Sequence, residues 1–275
     1  MTLGVSVKTI ANPLTDEALD VLERSAFETF ETNPVNFQTP EFDHGLVEKF
    51  IAMKQRTGKT SPTFHAPYGG DWDLSALDEN ARRKAVAKLL GLFPLATELE
   101  TEIIVEHPSG EPVRTEERPE RIAQLRKSLD ELRAPIRAAR FKLALELLPR
   151  TCLGNTAAEL LAILDGFGDE FGVCLDVNHL MGRIRELPDE TRLLGGRLLS
   201  LHISDYDGLD ECHFMPGTCN IDWPPFVQAL RDIGYDGVFN YEMRLKGSPA
   251  ERTHATEDNF RTLFSPLMMK AGFNP

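Results

Sequence analysis

The 275-residue sequence has few cysteines and none in a metal-binding pair. Cys152, Cys174, Cys212 and Cys219 are spaced without any C-x-x-C motif. So few cysteines in a chain of this length predict reduced thiols rather than a disulfide framework. The spacing also leaves a zinc-ribbon structure unsupported.

Basic residues and long apolar runs are also scarce. Lys and Arg total 30 against 43 Asp and Glu, which gives a formal net charge of −13. Nonspecific binding to phosphate backbones or anionic lipid depends on clustered Lys and Arg, so we expect neither a nucleic-acid partner nor a membrane partner. No apolar run approaches the roughly twenty residues that span a bilayer, and "LGVSVKTI" does not resemble a secretory leader. We therefore expect a cytoplasmic protein.

Short apolar segments alternate with longer segments of helical periodicity. No Gly/Ser linker, internal repeat or low-complexity segment interrupts them, which favours a single domain over residues 1–275. Alternation of this kind predicts βαβ units with a parallel sheet, and eight rounds predict an α/β fold, a (β/α)8 TIM barrel. The predicted strands are 3–10, 26–32, 63–68, 102–108, 141–149, 171–179, 198–205 and 238–243.

Helical stripes and caps separate these strands. Ile122, Leu125, Leu129 and Leu132 recur at spacings of three and four, as do Phe226, Leu230 and Ile233. Such spacing places apolar side chains on one helix face that packs against a sheet. Residues 15–16 and 155–156 have the residue types of helix N-caps.

Side chains that commonly bind metals fall at the ends of six consecutive predicted strands. In barrels of this kind functional residues lie at the carboxyl ends of the strands, so these side chains converge on one rim. They are His65, His107, Glu146, Asp176 with His179, His202 and Glu242. The pattern predicts a cation site.

The simpler interpretation of each residue alone is structural. A single histidine after a strand is more often a hydrogen-bonded loop residue than a ligand. Glu146 and Glu242, however, are flanked by apolar residues in strands, where an acid is costly without a compensating cation or proton. Arg150 or Arg244 could supply a salt bridge instead, but that would not explain why the acids and histidines share one end of the barrel. Asp205 is interpreted as a solvated loop acid or cap.

We expect a divalent ion as cofactor. Carboxylates mixed with imidazole suit Mn²⁺, Co²⁺ or Zn²⁺, whereas an all-oxygen shell favours Mg²⁺ or Ca²⁺. The sequence does not separate these metals, so Mn, Co, Zn and Mg are all candidates.

The chain resembles the xylose isomerase-like TIM-barrel superfamily, which includes sugar and sugar-phosphate isomerases and epimerases and the type IV AP endonucleases. The resemblance covers nearly the whole chain. The motifs that carry it, in family order, are "FHAPYGGDWDLS" (64–75), "IIVEHPSG" (103–110), "LALELLPRTCLGNT" (143–156), "GVCLDVNHLMG" (172–182), "LHISDYDGLDECHFMPGTCNIDW" (201–223) and "LRDIGYDGVFNYE" (230–242).

In the epimerase branch, the resemblance implies one divalent ion held by Glu146, Asp176, His202 and Glu242. The two glutamates there exchange a proton with substrate carbon through an enediolate stabilised by the metal. This implies a metal-dependent isomerase or epimerase acting on a small carbohydrate, phosphorylated or not. Candidates for substrate binding or a further ion are His65, His107, His179, Glu211, His213 and Trp72, with Phe214 as another apolar wall. A homo-oligomer is left open.

The endonuclease branch is the main alternative, because it holds three zinc ions. Eight residues match its ligand positions: His65, His107, Glu146, Asp176, His179, His202, His213 and Glu242. Its remaining ligand, an Asp two residues before His213, is Glu211 here. The net negative charge of the chain and the residue pattern of the segment at 201–223 favour the epimerase branch. A barrel that only binds a metal or sugar, and a polyol dehydratase or hydrolase, are further alternatives on this scaffold.

Overall fold

The structure is a computed structural model that describes residues 1–38 and 41–273. Its sheet contains eight parallel strands in the order β7-β6-β5-β4-β3-β2-β1-β8, so neighbours in sequence are neighbours in space. The strands are β1 (Thr2–Ser6), β2 (Thr29–Thr32), β3 (Thr60–His65), β4 (Ile103–Glu106), β5 (Lys142–Glu146), β6 (Phe171–Asp176), β7 (Leu198–His202) and β8 (Val238–Tyr241).

The last two strands meet and close the sheet into a barrel. Ile203, directly after β7, forms a parallel bridge with Tyr241 of β8. The Ile203 amide donates to the Asn240 carbonyl at 2.8 Å, and the Glu242 amide donates to the Ile203 carbonyl at 3.1 Å. The predicted (β/α)8 TIM barrel is therefore confirmed.

Helices surround the strands. They are α1 (Val7–Ile10), α2 (Asp16–Arg24), α3 (His44–Thr57), α4 (Glu79–Gly91), α5 (Phe93–Glu98), α6 (Arg118–Ala139), α7 (Ala157–Ile163), α8 (Leu187–Leu194), α9 (Trp223–Asp232), α10 (Pro249–Asn259) and α11 (Ser265–Ala271). Shorter helical turns cover Pro34–Phe37, Gly70–Trp72, Thr115–Glu117, Asn178–Glu186, Gly195–Arg197 and Phe260–Phe264. In the described residues, none of these helices is long and apolar enough to cross a bilayer.

The predicted caps are confirmed. The Thr15 hydroxyl accepts a hydrogen bond from the Ala18 amide at 3.1 Å, and Thr156 does the same for Glu159 at 3.1 Å. Each satisfies a backbone amide that the first turn of a helix leaves without an internal partner. The caps fix where α2 and α7 begin.

Apolar side chains fill two regions of the barrel. Small side chains, including Val105, Ala144 and Cys174, are fully buried in one compact cluster. A much larger cluster includes the apolar faces of the helices, with Leu125 and Leu129 of α6 wholly buried as the stripe predicts. Apolar packing thus fills the interior of the barrel and the space between strands and helices. Functional side chains are therefore expected at the polar carboxyl ends of the strands.

Several strand boundaries differ from prediction, and the largest difference is at the end of the first strand. The strand expected over 3–10 ends at Ser6, and residues 7–10 form the one-turn helix α1. Val7 and Ile10 are still buried, so their hydrophobicity reflects core packing and not strand pairing. This turn brings Lys8 to the rim of the barrel. All four cysteines are free, as predicted.

Candidate active site

Six side chains that can bind a metal lie at the carboxyl end of the barrel, each on a different strand. His65, Glu146, Asp176 and His202 are the last residues of β3, β5, β6 and β7, and His107 and Glu242 directly follow β4 and β8. All are buried except His107, which is partly exposed. Because parallel strands end at one rim, residues far apart in sequence come together here.

Glu146 lies among four imidazoles. Its Oε2 is 2.9 Å from His107 Nε2 and 3.1 Å from His65 Nε2, and its Oε1 is 3.2 Å from His202 Nδ1 and 3.4 Å from His179 Nδ1. Burial alone would raise the pKa of Glu146, but the adjacent His107 and His202 hold it well below its usual range. This carboxylate is therefore ionised.

A second carboxylate, Glu242, faces His202 from β8. Glu242 Oε2 lies 2.8 Å from His202 Nδ1, and Asp176 Oδ2 lies 3.7 Å from the same nitrogen. One ligand atom from each of Glu146, Asp176, His202 and Glu242 lies within 4.8 Å of the other three. The structure thus brings together the four residues expected to hold one ion.

The hydrogen-bonding state of this cluster fits a cation. Asp176 Oδ2 is buried and has no hydrogen-bond partner in residues 1–38 and 41–273. His65 Nδ1 lies 2.7 Å from the Ala66 carbonyl, and His179 Nδ1 lies 2.9 Å from the Leu147 carbonyl. Since a carbonyl only accepts, each Nδ1 carries a hydrogen, which leaves Nε2 as the nitrogen of each ring that can bind a metal ion. Lone pairs and carboxylates then converge, an arrangement that needs protons or a metal ion between them.

Three further groups of ligand atoms share residues with the first. One adds His65 to His202 and Glu242. The other two are His65, His107 and Glu146, and Asp176, His179 and His213, and each of these shares one carboxylate with the four-residue group. The four-residue group therefore has the ligand types to hold one ion, and the adjoining groups have the ligand types to hold further ions.

Glu211 belongs to the mouth of the site. Its Oε1 lies 3.2 Å from His213 Nε2 and 3.1 Å from Arg244 Nη2, and its Oε2 lies 3.2 Å from Arg150 Nη2. The imidazoles of His179 and His213 lower the pKa of Glu211 far below its ordinary value. Arg150 and Arg244 thus neutralise Glu211, and neither pairs with Glu146 or Glu242.

The loop after β7 is organised by Asp205. This residue is wholly buried and not a solvated loop acid as the sequence suggested. Its carboxylate accepts hydrogen bonds of 2.8–3.1 Å from the amides of Tyr206, Gly217, Cys219 and Ile221. The acid-rich stretch thus folds into a fixed loop, and an antiparallel bridge between Asp205 and Phe214 places His213 beside the site.

A cavity of about 310 Å³ opens above these ligands. Its lining includes both glutamates and the imidazoles of His65, His107, His179 and His213, together with Lys8, Tyr68, Glu211, Arg150 and Arg244. Asp176 and His202 are wholly buried outside this lining. The size suits a small polar molecule.

Trp72 and Phe214 do not line this cavity, although both were expected to offer an apolar wall. The Trp72 ring lies 4.7 Å from Lys88 Nζ on α4. Gly69 and Gly70 have φ of 74° and 51°, which glycine adopts readily, and the chain turns there into the short helix that carries Trp72. Loop geometry of this kind has no signature in hydrophobic periodicity.

Three residues at the site were missed by sequence reasoning. Lys8 Nζ contacts Glu242 Oε1. Tyr68 is 58% exposed, and its ring stacks on His107 with centroids 4.3 Å apart and planes 9° apart. Glu31, wholly buried at the end of β2, lies with Oε2 3.1 Å from His202 Nε2. The rule that identified the other strand-end acids also applies to Glu31, whereas Lys8 lies beyond a misplaced strand end.

Comparison with known proteins identifies the family of this chain. A family model described as "Xylose isomerase-like TIM barrel" matches residues 19–264. Protein MJ1311 of Methanocaldococcus jannaschii, of uncharacterised function, is 28% identical over 184 residues, 65% of this chain and 62% of that protein. The aligned region therefore spans less than two thirds of that relative.

Two solved structures share the fold. A crystal structure of D-psicose 3-epimerase in the presence of D-fructose matches with a TM-score of 0.81 and 17% identity, over 98% of this chain and all of the other. The IOLI protein with a binding zinc atom matches with a TM-score of 0.80 and 20% identity, over 98% and 99% of the two chains. At these identities the likeness establishes the fold alone.

Proposed function

Because the chain belongs to the xylose isomerase-like TIM-barrel family, we propose that it is a divalent-metal-dependent isomerase or epimerase of a small carbohydrate. The observation that carries the proposal is the pairing of two buried glutamates, Glu146 and Glu242, with one histidine nitrogen, at 3.2 and 2.8 Å. The cofactor is an ion of the Mn²⁺, Co²⁺, Zn²⁺ or Mg²⁺ type, held by both glutamates with Asp176 and His202.

Topology supports a two-base arrangement. Glu146 ends β5 and Glu242 follows β8, and β6 and β7 separate these strands on one side of the eight-stranded barrel. The two carboxylates therefore reach the cavity from strands that are not adjacent, and both line it. A substrate carbon between them could lose a proton to one and regain a proton from the other.

The proposed reaction begins at a carbon next to a carbonyl group. When bound, the divalent ion supplies positive charge that stabilises negative charge developing on substrate oxygens. One glutamate removes the proton from carbon, the electron pair of that C–H bond forms a carbon–carbon double bond, and the π pair of the carbonyl moves onto its oxygen, giving an enediolate. Return of a proton to the opposite face by the second glutamate gives an epimer, and return to the neighbouring carbon gives an isomer.

Other residues of the cavity have supporting roles in this proposal. Lys8 and His202 keep Glu242 ionised, since both lie in contact with its carboxylate. Partly exposed His107 and the exposed Tyr68 ring lie where they can contact substrate hydroxyls and the apolar face of a sugar. Lys8, Arg150 and Arg244 also line the cavity, but each is paired with an acid, so phosphorylation of the substrate is left open.

Exchange of carbon-bound hydrogen with solvent tests the proposal. Metal-loaded protein in deuterium oxide is expected to introduce deuterium into a suitable ketose, with D-fructose, D-psicose and D-tagatose as the first panel. Glu146→Gln and Glu242→Gln should each slow the exchange by about 100-fold or more, because general acid–base catalysis contributes at least that much.

Glu106→Gln is the matched control. Glu106 is a third buried glutamate at a strand end, but neither of its carboxylate oxygens has a hydrogen-bond partner in the described part of the chain, and it does not line the cavity. Burial raises its pKa well above the usual range and so favours the neutral acid, which glutamine resembles closely. Equal loss of exchange in all three variants would contradict a specific role for Glu146 and Glu242.

A second candidate function is a multinuclear zinc phosphodiesterase of the endonuclease IV type. The observation that favours it is the pair of flanking ligand groups around His65 with His107 and around His179 with His213. Against it, the net charge of −13 disfavours binding to DNA. Three zinc ions per chain with nicking of abasic duplex DNA would favour this candidate, whereas sugar exchange without nicking would favour the epimerase.

A further inference from the structure

The carboxylate of Glu31 lies beneath the proposed metal site, on the far side of the His202 ring. The side chain is wholly buried, and its Oε2 lies 3.1 Å from His202 Nε2. Its Oε1 has no hydrogen-bond partner among the described residues. An acid in a barrel interior is costly unless a partner compensates it, and the hydrogen-bond partner found for Glu31 is His202.

The two nitrogens of His202 face different surroundings. Nε2 faces the Glu31 carboxylate at 3.1 Å, whereas Nδ1 faces Glu242 at 2.8 Å, Glu146 at 3.2 Å and Asp176 at 3.7 Å. Three carboxylates meet on the Nδ1 side, and Glu31 belongs to none of the groups of converging ligand atoms. The ion-binding side of the ring is therefore the Nδ1 side, and Glu31 is not itself a ligand.

We propose that Glu31 is a positioning residue that holds the hydrogen of His202 on Nε2 and so presents the Nδ1 lone pair to the divalent ion. A neutral imidazole carries one hydrogen, and an acceptor at one nitrogen decides which nitrogen is free to bind a metal. The carboxylate also fixes the rotation of the ring and makes its free nitrogen more basic. This inference rests on the proposed metal site but not on the identity of the sugar.

The neighbouring strand offers a matched control. Thr63 of β3 is the register partner of Glu31 in β2. It is buried to nearly the same degree, and its hydroxyl also has no hydrogen-bond partner within the residues that the structure describes. Thr63→Val therefore perturbs the same part of the barrel and leaves the Glu31 carboxylate beside His202.

The test compares Co²⁺ binding by wild-type protein, Glu31→Gln and Thr63→Val, using competition with a chelator and the visible absorption of the bound ion. Glu31→Gln is expected to bind Co²⁺ about 10- to 100-fold more weakly, the usual cost of losing a carboxylate that orients a metal-bound histidine. Its absorption spectrum should also change. Thr63→Val should retain wild-type affinity and spectrum. Wild-type affinity and spectrum in Glu31→Gln would overturn the inference.

A measurement on the unmodified protein covers the case in which Glu31→Gln does not fold. Nitrogen NMR of the Zn²⁺-loaded wild-type protein should show His202 with hydrogen on Nε2 and the metal on Nδ1. Metal on Nε2, or no binding of either ion, would overturn the inference. Metal binding with the expected tautomer but no exchange on any sugar would instead count against the proposed reaction and leave the role of Glu31 intact.

Discussion

Lys8 Nζ contacts Glu242 Oε1, while the other carboxylate oxygen of Glu242 lies 2.8 Å from His202 Nδ1. One of the two proposed proton-transfer groups is thus held between an ammonium and an imidazole. Burial alone would raise the pKa of Glu242, but the charges of His202 and Lys8 hold it well below its usual range. Glu146 differs, because its partners are imidazoles. The two glutamates are therefore chemically distinct.

Replacing Lys8 should move the acidic limb of the pH–rate profile. In Lys8→Met, Glu242 loses a positive neighbour, so its pKa rises and it becomes protonated at a higher pH. The acidic limb of deuterium exchange into the sugar should then move to higher pH. At a fixed pH on that limb, the rate should fall about tenfold for each pH unit by which the limb moves. Lys8→Arg keeps the charge and should retain the wild-type limb. An unmoved limb in Lys8→Met would show that Lys8 does not influence the reacting group.

Removal of a proposed ligand should lower the metal content of the purified protein. Asp176→Asn and His202→Ala each remove one donor from the four-residue group, and both should hold less than one ion per chain by elemental analysis. His254→Ala is the control, because His254 is an exposed histidine of α10 beside Asp258. Metal content equal to wild type in both ligand variants would refute the site.

Much of the site could be predicted because functional residues of such barrels lie near the carboxyl ends of the strands. Glu146 and Glu242 are acids in apolar strands, and parallel strands end at the same rim, so two simple rules place them together. The resemblance to the xylose isomerase-like family is confirmed by a match over residues 19–264. The assignment of these residues as ligands and catalysts stays a prediction, as does the extent of a single domain over 1–275.

The missed residues depend on features that a linear pattern does not contain. Lys8 reaches the cavity because the chain leaves β1 at Ser6 and turns into α1, although the apolar segment continues to Ile10. Val7 and Ile10 are buried in the core, so they extend the apolar segment beyond the strand. Trp72 fails to reach the cavity because of the backbone turn at Gly69 and Gly70. Both outcomes were decided by local turns rather than periodicity.

The Tyr68 ring should contribute to sugar binding. It is 58% exposed, stacks on His107 and lines the cavity, so it offers an apolar face next to polar groups. Tyr68→Ala should raise KM for the sugar by about tenfold, on the scale of one lost aromatic contact, with metal content unchanged. Tyr68→Phe keeps the ring and should retain the wild-type KM. If Tyr68→Ala loses metal instead, the ring acts by supporting His107 and not by contacting substrate.

Metal uptake should release a proton at neutral pH. Burial alone would lower the pKa of His202, but the carboxylates of Glu242, Glu31 and Glu146 outweigh burial and raise that pKa well above its usual range. We therefore expect metal-free protein to carry a proton on the His202 nitrogen that the ion would occupy, and metal binding would displace it. Affinity should accordingly rise with pH through the neutral range, by about tenfold per pH unit when one proton is released.

Calorimetric titration at pH 7 in buffers of different ionisation enthalpy counts these protons directly. We expect about one proton per ion if only the four-residue site fills. His179 adds a second if the group it forms with Asp176 and His213 also fills, because nearby Asp176 outweighs burial and raises the pKa of His179 to about 9. The total proton count at saturation, read with the number of ions bound, therefore separates a single-ion site from a multinuclear one. A binding heat that is independent of the buffer would mean that His202 is neutral before the metal binds. The metal affinity would then have no pH dependence that arises from this residue.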